Sequence, residues 1–384
     1  MLHWFKFPAM SWGTMMRLSL LSYSTFLTLP FVFSPVQASN QLAGGVWFNY
    51  NQSLHSGASE PNNGTIGDEA LVLYADGQAE KGQGNWSYSA EWRMGPGSFT
   101  DPDNNSTGDQ AGMHKAWVGF DFNESYKLIV GKSQVPFGWK TYNFWPGDML
   151  QGGYGDQMDV GLKLQGQRSK LHYDIAYFHQ DDWGKTSTDT MDDNGHWGGW
   201  APSGSLSSSL STYRKVQTWV ANADIDLTTN HTVGVSLQAG RLHEFTKTDD
   251  GKVNGDHSAA VIYYKGTFGN TFVNGEVIQT QRNLPENYAS ANGLERKVEN
   301  TRYAFEVGRS SGNWTYYLDA NWADPKTKGN NASLVSAYAP GIKYNYGPGW
   351  IYAEYLTQDG YIGRNGNVGE GDFSALYLTM DFYF

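Results

Sequence analysis

The stretch Leu376-Tyr377-Leu378-Thr379-Met380-Asp381-Phe382-Tyr383-Phe384 sets Leu376, Leu378, Met380, Phe382 and Phe384 on one face. Tyr377, Thr379, Asp381 and Tyr383 fall on the other. Alternation at period two is the mark of a β-strand with one apolar side. Two settings suit such a strand. At the end of a soluble sandwich its apolar face would pack on a second sheet. In lipid the apolar face would turn outward, and the sheet would have to close on itself, because hydrocarbon cannot satisfy unpaired backbone groups.

The rest of the chain decides between them. Alternating segments recur at residues 42–52, 70–78, 85–94, 112–122, 126–135, 159–167, 171–180, 214–227, 232–243, 258–268, 271–281, 299–308, 314–322, 334–346, 350–358 and 372–384. Their connections alternate in length. Short ones at 123–125, 167–170, 228–231, 269–270, 310–313 and 347–349 carry Asn, Gly, Ser and Pro, as tight turns require. Long ones at 53–69, 95–111, 137–158, 181–213, 244–257, 282–298, 323–333 and 359–371 are rich in Gly, Asn, Asp and Ser. Short turns at one end and long loops at the other belong to a membrane barrel, and a sandwich has no reason to show them. The expectation is an all-β chain: a transmembrane antiparallel β-barrel of about 16 strands, with both termini on the periplasmic side.

Composition agrees. Fifteen Trp, 24 Tyr, 19 Phe and 46 Gly in a chain that is 39% hydrophobic suit a barrel with aromatic girdles. Mean hydropathy is −0.53, and no later segment reads as a membrane helix. The absence of cysteine excludes thiol catalysis and thiolate metal sites. Residues 1–38 read as a signal peptide: Lys6 and Arg17, an apolar run from Leu18 to Phe33, then Val36-Gln37-Ala38 before Ser39. Two of the 27 basic residues and none of the 38 acidic ones fall in that segment. Residues 39–384, the expected barrel domain, therefore hold 25 basic against 38 acidic residues, a net −13. Such a balance excludes a nucleic-acid footprint.

Several features resemble known proteins. The last strand resembles the closing strand of bacterial outer-membrane barrels. By that resemblance Phe382 and Phe384 would signal to the barrel assembly machinery. The stretch Val130-Gly131-Lys132-Ser133-Gln134-Val135-Pro136-Phe137-Gly138 resembles a segment of the phosphate-selective porin O/P family, in which a strand with Gly and a polar residue runs into a Pro-Phe-Gly corner. The resemblance implies an outer-membrane porin, a homotrimer, and a third extracellular loop that folds inward to narrow the channel. Its constriction would draw on Trp139, Lys140, Tyr142, Trp145, Asp148, Tyr154 and Asp156. One lysine against two aspartates departs from what phosphate selectivity needs, which is a set of fixed cations.

The strand faces supply the lining. Charged side chains facing the bilayer midplane would cost ~2–4 kcal/mol each for Arg or Lys, so they belong inside. Glu91, Arg93, Lys115, Asp121, Lys163, Asp224, Lys265, Glu276, Arg302, Glu306, Asp319, Lys343 and Glu354 all take inward positions, as do Asp174 and Asp226. The field is mixed and leans acidic. A wet interior in a barrel of this size implies a channel for small hydrophilic solutes, oligosaccharides among them, with weak or cation-leaning selectivity. The alternatives are an anion-selective porin, an outer-membrane enzyme and an adhesin. No hydrolase, metalloprotease or P-loop motif is present, so neither enzyme activity nor a cofactor is expected. Asp101-Pro102-Asp103-Asn104-Asn105 has no Gly at the sixth position and no Glu at the twelfth position of a calcium loop, and the acidic run from Asp189 to Gly195 matches no better. His172 and His179 fall on opposite faces and cannot share a metal.

Overall fold

The structure is a computed structural model. It describes residues 41–384 except 55–62, 80–83, 96–110, 148, 153, 155–156, 182–211, 246–252, 285, 292–294 and 364–365. The proposed signal peptide, the two acidic loop runs, Asp148 and Asp156 all lie outside the described residues.

Sixteen strands follow in chain order: β1 (Gln41–Ser53), β2 (Thr65–Gln78), β3 (Trp86–Met94), β4 (Ala111–Asn123), β5 (Tyr126–Gln134), β6 (Met158–Arg168), β7 (Leu171–Asp181), β8 (Thr212–Thr228), β9 (His231–Phe245), β10 (Val253–Phe268), β11 (Thr271–Asn283), β12 (Lys297–Ser311), β13 (Trp314–Pro325), β14 (Val335–Asn345), β15 (Trp350–Ile362) and β16 (Val368–Tyr383). Each pairs antiparallel with its chain neighbours, and β1 pairs with β16 to close the ring. A one-turn 3-10 helix covers Met149–Gln151, and α1 covers Glu286–Ala291. No helix among the described residues is long and apolar enough to cross a membrane. The crossing is made by strands.

Every expected segment is a strand, and several run past the expected end into the long-loop side. β2 starts at Thr65, β10 at Val253 and β16 at Val368. The β10 extension holds Asn254, Asp256 and His257, and that of β16 holds Glu370 between two glycines, so the apolar alternation that marks a lipid-embedded strand stops before the hydrogen-bond ladder does. The connection expected over 282–298 also holds α1, whose Ala289 packs with Leu242, Leu284 and Val298. Its sequence signals are Pro285 at the entry and Glu286 in the first turn.

The alternation sorts the two faces. Phe48, Trp219, Leu237, Ile262, Phe305, Ile351 and Met380 are exposed on the outside. Aromatic pairs ring the short-turn end: Trp86 with Phe120, Tyr126 with Tyr173, His231 with Phe268 and Trp314 with Tyr344. A second set, Tyr177 with Trp219 and Trp322 with Tyr338, lies toward the long loops. An apolar belt between two aromatic girdles is the outer surface of a membrane barrel. Ile262, 72% exposed in the middle of the belt on β10, should tolerate charge poorly. Ile262→Arg is expected to cost ~2–4 kcal/mol of stability, read as a lowered denaturant midpoint for the barrel in lipid. An unchanged midpoint would remove Ile262 from the hydrocarbon.

One glycine shapes the interior. Gly131 on β5 has a φ of 125°, and a Cβ there would lie 2.3 Å from the Ala116 carbonyl oxygen. Only a residue without a side chain permits that twist, just before the chain leaves the wall.

Candidate constriction inside the barrel

After β5 the chain turns at Val135, Pro136 and Phe137 and leaves the wall. β13 lies eight strands from β5 in a ring of 16 and so stands opposite it. Residues 138–151 cross to that side and are fastened there by four carboxylates. The Trp139 N–H donates to Glu276 on β11 (3.3 Å) and the Tyr142 N–H to Glu306 on β12. Asn143 Nδ2 donates to Asp319 on β13 (2.7 Å). The Phe144 and Trp145 N–H groups take the two oxygens of Glu354 on β15, at 2.7 and 2.9 Å. Gln151 donates to the other oxygen of Glu276, and Arg302 donates to the Gln151 carbonyl. Three of the carboxylates have wall partners too: Asn274 donates to Glu306, Asn321 to Asp319 and Tyr317 to Glu354.

This arrangement follows from the loop's composition. An irregular segment inside a barrel exposes backbone N–H groups with no ladder to join, and each must find an acceptor. A carboxylate accepts more hydrogen bonds than any other side chain and holds them more strongly than a neutral group does. Within the strap, Thr141 Oγ1 and Asn143 Nδ2 both donate to the Gly147 carbonyl and tighten its turn.

The expected constriction residues divide. Trp139, Trp145 and Tyr154 are buried between strap and wall. Tyr154 packs on Phe137 with ring centroids 5.0 Å apart, and Arg302 and Lys215 lie over its ring. Tyr142 is half-buried against Phe272 and Tyr317. Burial raises the pKa of its phenol, partly offset by a hydrogen bond with Thr315, so it stays neutral. Lys140 is exposed.

The lining residues divide as well. Glu276, Glu306, Asp319 and Glu354 are 5%, 1%, 0% and 1% exposed, covered by the strap they hold. Arg302 and Lys163 are buried with them, Lys163 donating to the Gln134 carbonyl where the strap begins. Lys343 sits over the rings of Tyr142, Trp350 and Tyr352. On β3 and β4, Arg93 pairs with Glu91 at 2.7 Å, and Lys115 is the cross-strand neighbour of Glu91. A bulge there turns His114 inward, where it feels the charges of Arg93, Lys140, Lys132 and Lys115. Toward the short turns, Asp121 pairs with Lys127 at 3.7 Å, Asp224 meets His172 at 3.0 Å, and Lys265 lies over Tyr263. Asn143, Gln151 and Tyr317 complete the strap's attachment and were not among the expected site residues. All three were visible as polar groups on the loop or on an inward position.

A closed ring of 16 antiparallel strands with its apolar face outward has known counterparts. The fold is that of the bacterial outer-membrane porins. OmpT of Vibrio cholerae, in its trimer form, superposes with a TM-score of 0.59 over 90% of this chain and 99% of its own, at 10% identity. The outer-membrane channel DcaP of Acinetobacter baumannii gives 0.58 over 90% and 97%, also at 10% identity. The anion-selective porin from Comamonas acidovorans gives 0.57 over 91% and 100%, at 11% identity. No family model matches the sequence, and no curated protein matches it. The likeness to porins is therefore one of fold, and nothing beyond the stretch at 130–138 ties the chain to the phosphate-selective O/P family.

Proposed function

We propose that residues 39–384 form a water-filled channel in the bacterial outer membrane that passes small hydrophilic solutes by passive diffusion, after export directed by residues 1–38. The observation that carries this reading is a charged interior inside a closed barrel of 16 strands, a size at which side chains no longer fill the lumen. A catalytic barrel needs no strap tied across its interior. In a channel, a strap in that place would set the width. In this reading residues 138–154 form the constriction and the inward charges line the path. Conductance of the purified barrel in a planar bilayer tests it, and a barrel that inserts without conducting would exclude it.

Weak selectivity fits the geometry best. The four acidic side chains that would draw cations are engaged with the strap, so they add little to the field in open water. Neutral oligosaccharides are a fitting cargo. A second reading is favoured by the positive side chains around His114: the channel prefers anions, as the name of the Comamonas protein says of that porin. Reversal potentials across a salt gradient separate the two. A value near zero is expected. A strong anion preference, with phosphate blocking the current, would establish the second reading instead.

The working unit in this proposal is a homotrimer, the form in which one OmpT structure is described. Mass measurement in mild detergent should give three copies, and a single copy would remove this part of the proposal.

A further inference from the structure

We propose that His172 and Asp226, with Asp224 behind them, bind a divalent transition-metal ion of the zinc class at the short-turn end of the barrel interior. This inference does not rest on the channel reading. His172 is the second residue of β7, and its cross-strand partner is Asp224 on β8. One donor atom each from His172, Asp224 and Asp226 can be chosen so that all three lie within 4.8 Å of one another.

The hydrogen bonds assign the three residues different tasks. His172 Nδ1 is 3.0 Å from Asp224 Oδ1. The other Asp224 oxygen accepts from the Tyr263 hydroxyl at 3.1 Å and from Asn222 at 3.3 Å. Asp224 is thus an anchored acceptor, placed to hold the ring in the tautomer that donates from Nδ1. That leaves a lone pair on Nε2, which is buried and has no hydrogen-bond partner. Nε2 faces Asp226 Oδ2 at 3.8 Å. Asp226 is itself held, because its other oxygen accepts from Thr232 Oγ1 at 2.8 Å.

A separation of 3.8 Å is too long for a hydrogen bond. Two ligands on one tetrahedral zinc, with bonds of about 2.1 Å, stand about 3.4 Å apart. A few tenths of an ångström of side-chain movement would close the difference. The order carboxylate, imidazole, metal is the one in which a second carboxylate fixes the ring and raises its basicity. One imidazole nitrogen with one carboxylate oxygen suits zinc, copper, nickel or cobalt better than calcium or magnesium. The side chains of His172, Asp224 and Asp226 are 16%, 14% and 30% exposed, so water from the interior can fill the remaining positions.

The test uses the folded, detergent-solubilised barrel, stripped with EDTA and titrated with ZnCl2 in a calorimeter. His172→Ala and Asp226→Asn should each remove one site. Asp224→Asn keeps both ligands but loosens the ring, and should weaken the site about 10–100-fold. His179→Ala, on the outer face of the same strand, should leave it intact. Co2+ in place of Zn2+ should give a visible absorption band that disappears in His172→Ala. Heat-modifiable migration reports which variants fold, and if His172→Ala does not, Asp226→Asn carries the comparison. No zinc uptake by the unmodified barrel, or equal site numbers and identical cobalt spectra with and without His172, would overturn the proposal. Because these readouts need no current, a barrel that failed to conduct would leave them standing.

Discussion

Replacing Glu354 with alanine is expected to raise single-channel conductance while leaving the barrel folded. Glu354 accepts from the Phe144 N–H, the Trp145 N–H and the Tyr317 hydroxyl, and it is almost wholly buried. Removing it orphans three donors. Each buried, unsatisfied donor costs about 1–3 kcal/mol, so the two orphaned N–H groups of the strap would cost about 2–6 kcal/mol where they are. The wall cannot relieve that strain, because its ladders stay paired. The strap can, by moving into water. Glu354→Gln keeps one carbonyl oxygen as acceptor and should show a smaller effect. Because Glu306, Asp319 and Glu276 hold neighbouring points, Glu306→Ala combined with Glu354→Ala should exceed either alone. Unchanged conductance in a heat-modifiable double variant would show that the strap does not set the channel's width.

Deleting Phe384 is expected to reduce the folded, heat-modifiable barrel in cells severalfold. Phe384 and Gly44 exchange two backbone hydrogen bonds of 2.8 Å at the seam where the ring closes. Its side chain covers Gly44 so closely that a Cβ there would come within 2.7 Å of the ring. The ring is 67% exposed on the lipid side, beside Phe382. Two hydrogen bonds contribute roughly 1 kcal/mol each, a modest loss for a barrel already formed. The larger effect is expected in assembly, because an exposed aromatic ring at the seam where the ring of strands closes is what a membrane insertion machine could grasp. Refolding into detergent should therefore suffer less than assembly in cells. Equal amounts of folded barrel in cells, with and without Phe384, would show that it carries no assembly signal.

The two predictions draw on features that differed in legibility. The strand faces could be read directly, because period two assigns each side chain a side once the strand is recognised. Glu276, Glu306, Asp319 and Glu354 are buried inside the ring for that reason. The task of those charges was hidden. Glu276, Glu306, Asp319 and Glu354 read as a field in open water, yet their partners are backbone N–H groups of residues 139–145, which carry no mark in a sequence. The loop's own charges, Lys140, Asp148 and Asp156, drew attention instead. His114 was hidden for a different reason. A bulge adds one residue to β4, and a strict alternation cannot anticipate where the count slips. The His172–Asp226 pair is invisible along any one strand, because Asp226 lies on β8, across the sheet from His172 on β7.

The bonds that fasten the strap span great distances along the chain: 137 residues from Trp139 to Glu276, 164 from Tyr142 to Glu306 and 210 from Phe144 to Glu354. Strands joined by the short turns meet within a few residues of chain, so those hairpins are local and quick to form. The strap has nothing to hold until β11, β12, β13 and β15 stand in place. Its attachment is therefore a late event, later than most of the wall. A newly inserted cylinder would pass through a wide-bore stage before it narrows. If the barrel is the channel proposed above, the cell would meet the unrestricted hole first and the sieve afterwards, and the interval between them would be set by how fast one segment finds four carboxylates.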